Sequence, residues 1–271
     1  MGGIIQKFFV LFFLTTVELS TARSSELTWL EQKGKHFIIE YVSSDDSLWA
    51  GEVLNRAENY YESIGRQLGF ARYDNFWTWD ARTRIFIFPD QEMFIKETKQ
   101  PAWSNGVALR DRVLVEKKAI VTFKQEDGFF NGVLPHEIAH LVLRDFVGVD
   151  KEIPQWFDEG MAQLQEDQKK SEARRLMKGL AKNGNFIPLP QLVTLNIRQE
   201  KDSQKAAIFY LESISILDFL IQEYGSDAFA QLCHEMKDGK NFEDALRASY
   251  SSVAGSLTEL EEKWLKFLNS H

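Results

Sequence analysis

The spacing of hydrophobic and polar positions changes about halfway along the chain. Before residue 131, short segments alternate between apolar and polar residues or are rich in β-branched residues, which predicts strands. These segments are 36–43, 82–90 and 119–124, with a weaker candidate at 110–117. Segment 47–69 has apolar residues at helical spacing and ends at a glycine, so it predicts one long helix among the strands.

From residue 131 onward the pattern becomes helical. It predicts helices over 131–147, 155–171, roughly 204–224, 226–237, 241–250 and 256–269, with a loop at 186–192. Strands that come early and helices that follow are typical of an α+β fold. We therefore expect two lobes, a strand-rich N-terminal lobe over 23–130 and a helical C-terminal lobe over 131–271.

The first 22 residues differ from the rest of the chain. Lys7 precedes an apolar run from Phe8 to Val17, and small residues stand at Ser20 and Ala22. This arrangement is typical of a secretory signal peptide, here cleaved after Ala22. The run is shorter than the roughly 20 residues that a transmembrane helix needs, so no permanent membrane span is expected. The segment predicts a secreted or periplasmic protein.

Charge and cysteine content narrow the possible partners. The chain has 40 acidic and 32 basic residues, a formal net charge of −8, and no basic cluster, which argues against nucleic acid as a partner. The single cysteine, Cys233, cannot form an internal disulfide and lies in an apolar helical pattern. We therefore predict that its side chain is a small, buried apolar group. An exported protein without disulfides fits a bacterial envelope.

The segment "PHEIAHL" carries the first candidate for chemistry. His136 and His140 are four residues apart, so on a helix both imidazoles project from one face and could bind one metal ion. Glu137 follows the first histidine and could reach a metal-bound water. The same two histidines could instead be core residues with satisfied hydrogen bonds, and these residues alone leave both interpretations open.

The next predicted helix supplies a third ligand. Glu159 follows His140 after eighteen intervening residues, inside "PQWFDEGMA". A catalytic Zn²⁺ takes three protein ligands and keeps a fourth position open for water. His136, His140 and Glu159 would supply that set, and Gly160 would let the two helices approach closely.

With these motifs the chain resembles the gluzincin zinc metallopeptidases, and within them the exported peptidase-MA-like proteins. The segments at 208–225, 242–250 and 257–268 are similar to the same group. The resemblance implies a zincin-like, two-lobed metallopeptidase domain that binds zinc and hydrolyses peptide bonds in a peptide or protein substrate.

The resemblance also implies roles for individual residues. Glu137 would act as the general base, and Tyr210 would stabilise the oxyanion, with His234 as the alternative. Tyr210 could instead be a core aromatic residue with its hydroxyl at the rim. Asp158 and Gln163 are candidates to orient the metal ligands. Segment 119–124 would border the substrate site and pair with an extended peptide.

Two further interpretations compete with a peptidase. A catalytically idle zincin fold could serve as a binding or scaffold protein of the cell envelope, although Glu137 would then have no use as a base. A carbohydrate-binding module would need exposed, coplanar rings in the aromatic segment 76–80. Aminopeptidases of the resembling branch carry a G-x-M-E-N segment that holds the substrate amine, and its absence here predicts an endopeptidase.

Overall fold

A computed structural model describes residues 27–72, 82–102, 104–109, 119–125, 128–166, 168–251 and 255–270. The predicted signal peptide, the strand candidate at 110–117 and the aromatic segment at 76–80 lie outside these residues. The chain divides into two compact units. Among the described residues, one unit comprises 27–62 and 82–138 and the other comprises 63–72 and 139–270.

Within the described residues, the first unit contains a mixed five-stranded sheet. Its strands are β1 (Leu30–Lys33), β2 (Phe37–Tyr41), β3 (Thr83–Phe88), β4 (Gly106–Leu109) and β5 (Ala119–Phe123). Their order in the sheet is β1-β2-β3-β5-β4. The three central strands β2, β3 and β5 run parallel, whereas β1 and β4 lie antiparallel at the two edges.

The sheet order corrects one prediction. Segment 119–124 does form a strand, but β5 pairs with β3 on one side and with β4 on the other. The expectation that it pairs with a peptide strand is wrong, because both of its hydrogen-bonding sides are already occupied. The strand at the edge of the sheet next to β5 is β4, which the sequence pattern did not predict.

Two helices accompany the strands in the sequence, α1 (Ser47–Gln67) and α2 (Gln91–Thr98). The Asp90 carboxylate caps α2 by accepting a hydrogen bond from the Met93 N–H at 2.8 Å. Phe94 of α2 packs into an apolar cluster on the sheet with Phe88, Val107, Val121 and Phe123. This burial holds α2 on the face of β3 and β5.

The helix with the two histidines has an irregular start. A turn of π-helix at Phe129–Val133 leads into α3 (Leu134–Val147), and Gly148, with φ of 111°, follows its last residue. The predicted helix over 131–147 is thus confirmed from Leu134 onward. A π-turn is rare and often occurs at functional sites.

The second unit is helical. It contains α4 (Gln155–Gln163), α5 (Lys169–Lys182), α6 (Leu189–Leu192), α7 (Ser203–Lys237), α8 (Phe242–Ser249) and α9 (Leu257–Ser270). Gly225 breaks α7 with φ of 83° and ψ of 164°, which confirms the predicted division into 204–224 and 226–237. The last two helices lie within one or two residues of their predicted bounds, the usual uncertainty at helix ends.

The predicted helix over 155–171 is wrong at its C-terminal end. α4 stops at Gln163, and Gln168 adopts a left-handed backbone with φ of 67° before α5 begins. Asp218 of α7 holds α5 through ion pairs with Lys170, at 2.7 Å, and with Arg174. The predicted loop at 186–192 contains the short helix α6.

The mixed sheet and the helices together form an α+β fold, as the order of the predicted elements indicated. Cys233 is fully buried in α7, as its apolar surroundings predicted, and burial raises the pKa of its thiol well above the ordinary value. Within the described residues, every helix is too short or too polar to pass through a bilayer.

Candidate metal centre

The three predicted metal ligands lie together. His136 and His140 project from α3 one turn apart, and Glu159 comes from α4. Their ligand atoms all lie within 4.8 Å of one another, and the three side chains are buried. Zinc binds nitrogen and oxygen ligands at about 2.0–2.2 Å, which places tetrahedral ligand atoms roughly 3.4 Å apart. The three ligand atoms are therefore close enough together for one zinc ion.

The chemistry of Glu159 fits a cation. Its Oε2 atom is buried and accepts no hydrogen bond from any residue that the structure describes. Burial raises the pKa of Glu159 to about 7, an effect that the charge of His140 opposes and that of Asp158 reinforces. A buried carboxylate without compensation is costly, and a bound dication would supply that compensation.

A close helix contact positions Glu159. Gly160 lies against α7 so tightly that an added Cβ atom would be 2.8 Å from both the C and O atoms of Ser213. Nearly all of α4 is buried, and the ring of Phe157 stacks on that of Phe229 with centroids 5.4 Å apart. The glycine thus sets the depth at which α4 presents Glu159.

Asp158 orients one of the histidines. Its Oδ1 atom is 2.7 Å from Nδ1 of His140, and its Oδ2 atom accepts hydrogen bonds from Nη2 and Nε of Arg144, at 2.5 and 3.2 Å. Burial alone would raise the pKa of Asp158, but His140 and Arg144 outweigh it and lower that pKa below its ordinary value. A proton held at Nδ1 leaves Nε2 of His140 for a metal.

Gln163, unlike Asp158, does not orient a metal ligand through a hydrogen bond to a described residue. Its amide is fully buried one turn beyond Glu159, and neither its nitrogen nor its oxygen makes a hydrogen bond with any described residue. The expectation that it orients a ligand imidazole has no contact to support it.

Glu137 is buried beside the edge strand. An added Cβ atom at Gly106, the first residue of β4, would lie 3.3 Å from Oε1 of Glu137 and 3.1 Å from Cγ1 of Val133. The backbone of β4 therefore passes directly over the carboxylate of the predicted base. A side chain at residue 106 would require Glu137 and Val133 to shift by a few tenths of an ångström.

The two candidates for the oxyanion donor have different surroundings. Tyr210 is buried in α7, and its hydroxyl makes no hydrogen bond with a described residue. Burial raises the pKa of Tyr210, and the charge of Glu159 raises it further. His234 is in the last turn of α7 with 34% of its side chain exposed, and its Nδ1 atom is 3.3 Å from Asp238.

Arg198 is a residue of this region that the sequence did not point to. It stands in a short turn, Ile197–Gln199, and its charge lowers the pKa values of Glu159 and Tyr210, both of which burial raises. A single arginine in a polar segment carries no motif, so its proximity to these two residues follows only from the folded chain.

The buried group of two histidines and a glutamate is a ligand set that zinc metallopeptidases use. A family model described as the peptidase MA superfamily matches residues 83–270, a range that includes all the candidate site residues. The chain therefore belongs to the peptidase MA superfamily, whose members are typically zinc-dependent peptidases. No curated protein matches the chain.

We expect Gly160→Ala to destabilise the protein by about 1–3 kcal/mol, because the new methyl group would force α4 away from Ser213. The same displacement would move Glu159 and lower the zinc content. Gly179→Ala is the matched control, since its Cβ atom would meet nothing within 4 Å and alanine favours the helix by about 1 kcal/mol. Urea unfolding and metal analysis measure both effects, and equal stabilities of the two variants would contradict the expected packing role.

Proposed function

We propose that this chain is an exported, zinc-dependent endopeptidase with a zincin-like, two-lobed metallopeptidase domain. In this proposal the signal peptide, residues 1–22, is removed after Ala22, and the mature protein acts in the periplasm or outside the cell. The buried group of His136, His140 and Glu159 carries the proposal. Membership of a peptidase superfamily supports the class of reaction.

The residues of the site have distinct tasks in the proposed mechanism. Zinc, when bound by the three ligands, would polarise the scissile carbonyl and acidify an attacking water. Glu137 accepts the proton of that water and later delivers it to the leaving amine. The Tyr210 hydroxyl donates a hydrogen bond to the developing oxyanion. It is available for this bond because it has no hydrogen-bond partner among the described residues.

The edge strand β4 is the candidate site for capture of an extended peptide. Among the residues that the structure describes, it pairs with β5 only, and it passes over Glu137 at Gly106. A peptide added to its other side would form main-chain hydrogen bonds alongside the proposed base. This assignment replaces the one made for segment 119–124.

We expect one zinc ion per chain and hydrolysis of some members of a mixed peptide library, with product masses showing the cleavage sites. A chelator should abolish this hydrolysis and added zinc should restore it, because the buried ligand set is incomplete without its cation. The double variant His136→Ala/His140→Ala should contain no zinc. Stoichiometric zinc in that variant would rule out this ligand set.

If the enzyme is an endopeptidase, a peptide with an acetylated N-terminus and the same peptide with a free N-terminus should be cleaved at similar rates. Strand pairing along β4 needs backbone on both sides of the scissile bond and no free amino group. An aminopeptidase would instead have to pair the substrate ammonium with a fixed carboxylate. Stepwise removal of single N-terminal residues, with no cleavage of acetylated peptides, would overturn the endopeptidase assignment.

A further inference from the structure

Arg198 is held in a defined place beside α4. The N–H of the neighbouring Ile197, which is buried, donates to Oε1 of Gln155 at 3.0 Å. The Asn196 side chain accepts a hydrogen bond from the Arg198 N–H at 3.1 Å. Gln155 is one helical turn before Glu159, so both residues lie on the same side of α4. The turn is thus fixed next to the helix face that carries the metal ligand.

Arg198 is half-buried, and its guanidinium makes no hydrogen bond or ion pair with any residue that the structure describes. Two other half-buried arginines of the same unit do have partners, Arg144 with Asp158 and Arg174 with Asp218. The planar guanidinium offers paired donors that match the two oxygens of a carboxylate. An arginine on a fixed turn, whose guanidinium has no partner among the described residues, is available to bind such a group.

The fixed turn places this cation beside the proposed reaction site, because Ile197 is bound to Gln155 and Gln155 lies on the same side of α4 as Glu159. The charge of Arg198 also acts on both Glu159 and Tyr210. A dication with two neutral histidines and Glu159 leaves a net charge of +1, which the carboxylate of Glu137 cancels. Arg198 then adds a positive charge that no ion pair with a described residue neutralises.

We propose that Arg198 binds a carboxylate of the substrate beside the scissile bond and thereby determines the specificity of the enzyme. This inference rests on the proposed peptidase function and adds a substrate class, peptides with an acidic group close to the cleavage site. The carboxylate can come from an aspartate or glutamate side chain or from the free C-terminus of a short peptide.

A binding experiment tests this inference without requiring catalytic turnover. The zinc-loaded Glu137→Gln protein is titrated calorimetrically with pairs of peptides that differ in one feature. One set exchanges glutamate for glutamine at each position in turn, and the other exchanges a C-terminal carboxylate for an amide. Hydrogen bonds to a charged group predict that the carboxylate member of one set binds about ten- to a hundredfold more tightly. The set that shows the difference identifies the source of the carboxylate.

Adding Arg198→Gln to the same protein should remove this difference and leave the affinity of the neutral peptide almost unchanged. Arg175→Gln is the matched control, because Arg175 is exposed on α5, and it should preserve the full difference. The inference would be overturned if Arg198→Gln lowered the affinity of both peptides of a pair equally. It would also be overturned if the protein with Arg198 intact bound both peptides of every pair equally well. Selective binding by a protein that cleaves no peptide would instead overturn only the proposed function.

Discussion

Replacing Glu137 with glutamine should lower peptide turnover about 10²–10⁴-fold while the zinc content stays at one ion per chain. Glutamine has nearly the same shape as glutamate, so the close contact with Gly106 of β4 and the packing of α3 are preserved. An amide cannot accept the proton of the attacking water, which is the step assigned to this residue. Rates with a cleaved peptide and metal analysis of the same sample measure the two quantities.

Glu212→Gln provides a control for the loss of a buried carboxyl group. Burial raises the pKa of Glu212 to about 8, so this group is largely protonated at neutral pH, and its Oε2 atom accepts a hydrogen bond from the Ile187 N–H at 2.8 Å. Glutamine is uncharged as well and can accept the same bond, so the rate should stay close to that of the unmodified protein. If Glu137→Gln also hydrolysed the peptide at a rate close to that of the unmodified protein, Glu137 would be excluded as the base.

The sequence predicted the parts of the fold and site that depend on local spacing. His136 and His140 needed only a helix to share one face, and the periodic apolar residues around them predicted that helix. The break at Gly225 could be anticipated because glycine readily adopts the positive φ found there. The third ligand, Glu159, could be chosen because its distance along the chain suited a second helix.

The parts that were missed depend on contacts between distant residues. The chain turns at Gln168 without a glycine or proline, and the ion pair that holds the next helix joins Arg174 to Asp218, 44 residues away. The position of β5 inside the sheet depends on its pairing with β4, which alternation within a segment does not encode. Arg198 lies near the site because Ile197 binds Gln155, 42 residues earlier.

Tyr210→Phe should lower kcat about 10²–10³-fold and change KM much less, since its hydroxyl is assigned to the oxyanion that forms only in the transition state. Zinc content should be unchanged, because Tyr210 is not a ligand. The fold should be at least as stable as before, because the hydroxyl is buried and makes no hydrogen bond with a described residue. Steady-state kinetics, metal analysis and urea unfolding test these three outcomes.

Tyr250→Phe separates chemistry from packing. The Tyr250 hydroxyl is also buried without a hydrogen-bond partner among the described residues, and burial raises its pKa as it does for Tyr210. The two substitutions therefore remove the same group from similar surroundings, but only Tyr210 is influenced by the charge of Glu159. Both variants should have similar stabilities, and only Tyr210→Phe should lose turnover. An unchanged kcat in Tyr210→Phe would leave its hydroxyl with no part in the reaction, and His234→Ala would then be the variant expected to lower the rate.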